Sequence, residues 1–194
     1  MFISAPQDSD GATAIYESSA ASHGFVMNLT RAWAWRPDVF DGFAALRGQL
    51  TNDSTLSKRE LAVMVCAAAS ELGDSYCCLA WGKTLAQQAG PDAAAAVIAN
   101  TPAAGLTDRE SALAIWARKV VSNPNATTAT DVSALREAGL SEREIVEATT
   151  FVAFRLAFST VNDALGVHPD GKLAAQVPSQ VRAAARFGRA PTEA

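Results

Sequence analysis

The sequence has few of the side chains from which metal sites and nucleophilic triads are usually assembled. Its 194 residues include two histidines and three cysteines. A Cys/His zinc cluster cannot be built from this inventory within one chain. A histidine-centred triad would have to use one of two isolated residues, His23 or His168. We therefore expect neither a metal site nor a cofactor.

Positive charge and long apolar runs are also scarce. Lysine and arginine total 16 against 20 acidic residues, a net charge of -4, which argues against nucleic acid or an anionic membrane as a main partner. No apolar run approaches the roughly 20 residues that span a bilayer. Residues 1–11 show no signal-peptide pattern, and three cysteines with two adjacent form no disulfide framework. We expect a cytoplasmic protein.

Signals for β-structure are lacking as well. No run of residues alternates between apolar and polar, and no Asn-Gly or Asp-Gly hairpin turn joins β-branched segments. About one residue in five is alanine, the best helix former. Apolar residues recur instead at spacings of three and four, as at Leu61, Val65 and Ala68. The sequence predicts an all-α fold.

One short pattern occurs three times and predicts the start of a helix each time. A leucine is followed by Ser or Thr as N-cap and, three residues later, by a glutamate that can bond back to the cap. The three pairs are Ser57 with Glu60, Thr107 with Glu110, and Ser141 with Glu144.

From these anchors we predict the following helices and domain limits. The helices cover residues 25–35, 37–50, 57–71, 75–89, 91–99, 107–122, 129–138 and 141–165, with a weaker one at 178–187. The domains are an N-terminal arm at 1–20, one helical domain at 21–187 and a C-terminal tail at 188–194. The arms are either loosely ordered or docked on another subunit.

The segment from residue 60 to 82 carries the candidate chemistry. Gly73 predicts the end of one helix, and Asp74 or Ser75 the N-cap of the next. Cys77 then lies in the first helical turn, where unpaired backbone N–H groups stabilise a thiolate. The Asp74 carboxylate would oppose this by raising the pKa of the thiol.

The side chains of this second helix divide between two directions. Asp74, Cys77 and Trp81 share one face because they are three and four residues apart. Cys78 points about 100° away, toward the core or a neighbouring helix.

Several segments in order resemble one known family. They are Glu60 through Gly82, Leu106-Thr-Asp-Arg-Glu110, Asp131-Val-Ser-Ala-Leu-Arg-Glu-Ala-Gly139, Leu140-Ser-Glu-Arg-Glu144 and Asn162-Asp-Ala-Leu-Gly-Val167. Together they resemble the peroxidase-related branch of the alkylhydroperoxidase-D-like and carboxymuconolactone decarboxylase family. The resemblance implies that family's helical fold and a homo-oligomer, a trimer or hexamer.

The family motif is a helix-start glutamate followed by Cys-x-x-Cys-x-x-x-His, and this sequence departs from it. Cys77 matches the second cysteine and Glu60 the glutamate, whereas Asp74 replaces the first cysteine and Trp81 the histidine. Because Asp74 cannot form a disulfide with an oxidised Cys77, turnover would need an external thiol or Cys78.

The resemblance implies an antioxidant thiol-dependent oxidoreductase that reduces small hydroperoxides. Cys77 would be the attacking thiolate, supported by Glu60 and Asp74, in a pocket with Tyr76, Cys78 and Trp81. One alternative is a lyase or isomerase that uses Asp74 or Glu60 as base on a small carboxylated lactone. Another is a non-catalytic binding or assembly protein that keeps the fold.

Overall fold

A computed structural model describes residues 1–193; Ala194, the last residue of the predicted tail, lies outside the described residues. Within them the secondary structure is helical, without a strand, so the all-α prediction is confirmed. The helices are α1 (Asp10–His23), α2 (Asn28–Trp33), α3 (Pro37–Asn52), α4 (Lys58–Leu72), α5 (Ser75–Ala89), α6 (Pro91–Ala99), α7 (Asp108–Ser122), α8 (Ala129–Glu137), α9 (Glu142–Ala164), α10 (Gly171–Ala175) and α11 (Ser179–Ala184). A single 3-10 turn, Pro124–Ala126, joins α7 to α8.

Helix α4 is the centre of the fold. Every residue from Leu61 to Ala69 is at most 4% exposed, because α5, α6, α7 and α9 pack around it. A helix that is apolar on all sides has to be surrounded by protein. Helix α5 runs back along α4 after the turn at Gly73, so that Gln88 meets Arg59 and Cys78 meets Cys66, and α9 also packs on α4.

The predicted capping boxes are present at the starts of α4, α7 and α9. In α4, for example, the Ser57 hydroxyl accepts a hydrogen bond from the Glu60 N–H, and the Glu60 carboxylate accepts one from the Ser57 N–H. A fourth box, Thr128 with Asp131, begins α8. Each box satisfies backbone N–H groups that the first helical turn leaves free.

The N-terminal region differs from the prediction. Helix α1 occupies part of the predicted arm and buries Ala12 and Ile15 against Ala34. Its apolar periodicity is weak because small and polar residues separate its few large side chains. Two shorter elements, α2 and α11, fall inside longer predicted helices, and α10 was not predicted.

The C-terminal tail packs against the helical domain of the same chain. The Ser75 hydroxyl donates to the Arg189 carbonyl at 2.7 Å, and the Thr192 N–H donates to the Pro169 carbonyl at 2.9 Å. Residues 188–192 therefore cross the turn between α4 and α5. Among residues 1–193, no helix is both long and apolar enough to cross a bilayer.

Candidate functional site

The turn between α4 and α5 sets the position of Cys77. Gly73 adopts a left-handed conformation, with φ of 82°, and ends α4. The Asp74 carboxylate then caps α5 by accepting the Cys77 backbone N–H at 2.9 Å. The predictions of a stop at Gly73 and a cap at Asp74 are both confirmed, and Cys77 lies in the first turn of α5.

Two side chains from α9 donate hydrogen bonds to the Cys77 sulfur. The Arg155 Nη2 lies 3.0 Å from Sγ, and the Ser159 Oγ lies 3.4 Å from it. Arg155 and Ser159 are four residues apart, so they occupy one face of α9. Both are buried, as is Cys77, which is 3% exposed. A guanidinium and a hydroxyl aimed at a sulfur stabilise negative charge on it.

Arg155 and Ser159 were missed by the sequence analysis. Their separation from Cys77, 78 and 82 residues, leaves no local pattern that joins the two segments. One signal was available: Arg155 interrupts the apolar run Phe151-Val-Ala-Phe-Arg-Leu-Ala-Phe158 of α9. Charged residues are rarely buried without a partner, so an arginine in such a run marks a position of interest.

Aromatic rings enclose the Arg155 guanidinium. Its central carbon lies 5.5 Å from the Trp81 ring centroid and 5.2 Å from that of Phe158. Trp81 also meets Phe151 edge-on, with 6.2 Å between ring centroids. A cation between aromatic faces is held in place by their quadrupoles. Trp81 therefore forms part of the wall around the cation that contacts Cys77.

The electrostatics at Cys77 favour the protonated thiol. Burial and the Asp74 carboxylate raise its pKa to about 12, although Arg155 and Ser159 act in the opposite direction. From the sequence, either the helix terminus or Asp74 could dominate the pKa of Cys77. In the structure burial and Asp74 together outweigh Arg155 and Ser159, so the pKa of Cys77 is raised rather than lowered.

Asp74 and Asp163 form a second feature of the site. Asp74 is completely buried, and its Oδ2 has no hydrogen-bond partner among residues 1–193. Burial and the Asp74 charge raise the pKa of Asp163, on α9, to about 7, and Arg189 opposes this shift. Asp74 and Asp163 are therefore two carboxyl groups in unlike environments, close enough for the charge of one to raise the pKa of the other.

The predicted site residue Glu60 lies at the other end of α4. Its carboxylate accepts hydrogen bonds from Ser57 and from Arg109, which also pairs with Glu144. Burial alone would raise the pKa of Glu60, but the hydrogen bonds from Arg109 and Ser57 outweigh it, so the pKa is lowered. These partners account for the buried position of the carboxylate. A catalytic role for Glu60 stays a prediction.

The other cysteines and Tyr76 have partners of their own. The Cys78 thiol donates to the Cys66 carbonyl at 3.8 Å, so it faces α4 as predicted. The Tyr76 hydroxyl donates to the buried carboxylate of Asp170. Of the predicted pocket residues, Trp81 is joined to the Cys77 site through Arg155, whereas Tyr76 and Cys78 bond elsewhere.

A narrow cleft of about 10 Å³, room for about one water molecule, lies beside this site. Both donors to the Cys77 sulfur, Arg155 and Ser159, line it. The remaining walls are aliphatic: Val65, Ala68, Ala69, Leu72, Val121 and Leu156.

Comparisons with known proteins identify the fold. No protein-family model matches the sequence, and no curated protein matches it significantly. A solved structure of an alkylhydroperoxidase AhpD core, an uncharacterized peroxidase-related protein from Ralstonia eutropha JMP134, superimposes with a TM-score of 0.80 at 24% identity over 98% of this chain and 97% of that chain. A peroxidase-related protein from Silicibacter sp. TM1040 has a TM-score of 0.80 at 22% identity, over 89% and 93%.

A more distant structural relative is named for a different reaction. The debrominase Bmp8, in a complex with 2,3,4-tribromopyrrole, has a TM-score of 0.72 at 14% identity, over 95% of each chain. Peroxidase-related proteins and a debrominase thus share this architecture, so the architecture alone does not determine the reaction. The chain has the alkylhydroperoxidase-D-like helical fold, as its motifs predicted.

Proposed function

We propose that the protein is a thiol-dependent peroxidase that reduces small hydroperoxides at Cys77. The observation that carries this proposal is the pair of donors on the sulfur, Arg155 Nη2 at 3.0 Å and Ser159 Oγ at 3.4 Å. These groups stabilise the thiolate before attack. The same donors are available to negative charge that develops beside the sulfur during the reaction.

The reaction requires a base because the pKa of Cys77 is raised to about 12. Asp74 is the candidate, because its carboxylate is completely buried, caps the turn that carries Cys77, and has no hydrogen-bond partner for Oδ2 among residues 1–193. Sγ then attacks the terminal oxygen of R–O–O–H and breaks the O–O bond. The products are Cys77 sulfenic acid and the alcohol ROH, which takes up the proton that Cys77 lost.

Regeneration would use an external thiol. Cys78 points toward the Cys66 carbonyl rather than toward Cys77, and adjacent cysteines bridge only with a distorted peptide. One external thiol condenses with the sulfenic acid and releases water. A second thiol reduces the mixed disulfide, so two thiols are oxidised to one disulfide for each hydroperoxide reduced.

The test is consumption of tert-butyl hydroperoxide by the wild type and two matched variants, with dithiothreitol as reductant. We expect Cys77→Ser to reduce consumption to the rate without protein, because serine is a much weaker nucleophile. Cys66→Ala should retain activity, since Cys66 is a buried residue of α4 in a run rich in alanine. Equal consumption by wild type and Cys77→Ser would overturn the proposal.

A second candidate is base chemistry at Asp74, as in a lyase or isomerase acting on a small carboxylated lactone. The unpartnered Oδ2 of a fully buried carboxylate favours it. Such activity would survive complete alkylation of Cys77 and be lost in Asp74→Asn. Peroxidase activity, in contrast, would be lost when Cys77 is alkylated. An inert thiol and an inert Asp74 together would indicate a non-catalytic protein.

A further inference from the structure

Cys77 is enclosed by the protein on all sides. The residue is 3% exposed, and the cleft beside it has room for about one water molecule. An alkyl hydroperoxide such as tert-butyl hydroperoxide is much larger than water. The proposed reaction therefore requires part of the chain to move.

Cys77 lies near one end of the seam between α5 and α9. Trp81 of α5 meets Phe151 of α9, whereas Cys77, one turn earlier in α5, meets Ser159, two turns later in α9. The two helices are therefore antiparallel, and the start of α5 lies at the same end as the last turns of α9. Because Cys77 is in the first turn of α5, this end of the seam is the one closest to its sulfur.

A segment of the tail crosses this end of the seam. We call residues 188–193 the strap. At the start of α5, the Ser75 hydroxyl donates to the Arg189 carbonyl at 2.7 Å. In the segment that follows α9, Nδ1 of His168 lies 2.9 Å from the Ala190 carbonyl oxygen. The strap thus spans from the start of one helix to the end of the other.

Glycine at position 188 allows the strap to lie against the turn before α5. Gly188 has a φ of 66°, a conformation that favours glycine. A Cβ built on it would clash with the Gly73 carbonyl oxygen and lie 3.2 Å from the Ser75 nitrogen. These two residues flank Asp74, which is completely buried. A side chain at position 188 would therefore lift the strap away from the turn.

The strap can open without unpacking the core. None of residues 188–193 is buried, whereas Phe187, just before them, packs against the core. A segment with few buried apolar contacts opens at a low cost in free energy. Movement about the chain after Phe187 would leave α5 and α9 in place.

We propose that the strap is a lid, which opens to let substrate reach Cys77 and, when closed, keeps the site from water. The lid rests on the proposed function for the identity of the substrate. Opening exposes the thiol to any small reagent, however, so it can be measured without peroxidase turnover.

The experiment is alkylation of the folded wild type and variants with iodoacetamide at pH 8, with the rate at each cysteine followed by tandem mass spectrometry. We expect Gly188→Ala to raise the rate at Cys77 roughly tenfold or more, because the closed strap loses contacts worth at least one hydrogen bond. Ser75→Ala removes only the bond to the Arg189 carbonyl and should raise the rate about threefold to tenfold.

Two controls accompany these variants. Gly24 also has a positive φ, of 80°, but no atom lies within 4 Å of an added Cβ. Gly24→Ala should therefore react at Cys77 like the wild type. Cys66 and Cys78 are fully buried in the core, so their rates should stay at the wild-type value in every variant.

The outcomes separate the lid from the proposed function. A Cys77 rate in Gly188→Ala equal to that of the wild type overturns the lid even if the protein consumes hydroperoxide. Equal acceleration at all three cysteines also overturns it, because it shows that the core has loosened. If Gly188→Ala does not fold, the same comparison in Ser75→Ala decides. Acceleration confined to Cys77 supports the lid even if no hydroperoxide is consumed.

Discussion

At the scale of single residues, the site depends on a competition for the charge state of Cys77. Burial and Asp74 raise its pKa to about 12, whereas Arg155 and Ser159 lower it. The position of Cys77 beside Asp74 in the first turn of α5 was predictable, because the Gly73 stop and the Asp74 cap are local signals in the sequence. The two α9 donors were not, because only tertiary packing brings them to the sulfur.

The opposing role of Asp74 gives the first prediction. In Asp74→Asn the amide oxygen can still cap α5, but the negative charge beside Cys77 is gone. We expect the pKa of Cys77 to fall by about one unit or more, so that iodoacetamide alkylates it roughly tenfold faster at pH 8. The measurement is alkylation rate against pH for Cys77, followed by mass spectrometry.

Wild-type alkylation should rise steadily up to pH 10 without reaching a plateau. A plateau near pH 7 in the wild type, or an unchanged profile in Asp74→Asn, would show that the charge of Asp74 does not control the thiol.

Asp163 gives a prediction about stability. Its pKa is raised to about 7 by burial and Asp74, against an ordinary value of about 3.9 in an unfolded chain. Between these two pKa values the folded state binds more protons than the unfolded state. The stabilising contribution of Asp163 is therefore complete below about pH 4 and is lost as the pH rises through 7.

Replacing Asp163 with asparagine should remove this dependence. At pH 8 the free energy of unfolding of Asp163→Asn should exceed that of the wild type by about 1 kcal/mol, a value reduced from the full shift to allow for solvent screening. Below pH 4 the free energy of unfolding of the wild type should equal or exceed that of Asp163→Asn. Urea unfolding at pH 4, 6 and 8 provides the measurement, and a pH-independent difference would contradict the assignment.

At the scale of helices, short-range signals were sufficient to predict a helix start wherever a cap and an apolar stripe coincide. Helices α4, α7 and α9 have the predicted N-caps, Ser57, Thr107 and Ser141, because a capping box requires only residues i and i+3. Helix α1 has an N-cap at Ser9 but only a narrow apolar stripe. Its position depends on packing against residues near Ala34, which local sequence does not reveal.

The capping box of α4 should make a measurable contribution to stability. Ser57→Ala removes the hydroxyl that accepts the Glu60 N–H at 3.2 Å, and should lower the free energy of unfolding by about 1 kcal/mol. The matched control is Ser179→Ala, because the exposed Ser179 hydroxyl bonds only to the neighbouring Gln180 side chain. Equal effects of the two variants in thermal unfolding would show that the box contributes nothing specific.

At the scale of the whole molecule, residues distant in sequence meet in ways that composition and periodicity do not reveal. Gly82 of α5 is an example. A Cβ at this position would lie 2.6 Å from Val181 of α11 and 3.1 Å from Ile98 of α6. Glycine here permits the close approach of three helices, whereas from sequence alone it is an unexplained glycine inside a helix.

Alanine at position 82 should therefore destabilise the protein although alanine favours helix formation. We expect Gly82→Ala to cost about 1–3 kcal/mol through overpacking. Gly42→Ala, in α3 with no atom within 4 Å of the added Cβ, should instead stabilise by up to about 1 kcal/mol. Chemical unfolding of both variants is the measurement, and the same sign of change for both would contradict this packing.

The contact between α5 and α9 is the feature of the whole molecule on which the proposed function depends, because it places Arg155 and Ser159 on Cys77. The most direct test is a single-turnover reaction of reduced protein with one equivalent of tert-butyl hydroperoxide, without reductant and with dimedone to trap sulfenic acid. The account predicts consumption of about one hydroperoxide per chain, with the dimedone adduct on Cys77 and none on Cys66 or Cys78. Hydroperoxide that persists beside an unmodified Cys77, or an adduct confined to another cysteine, would contradict it.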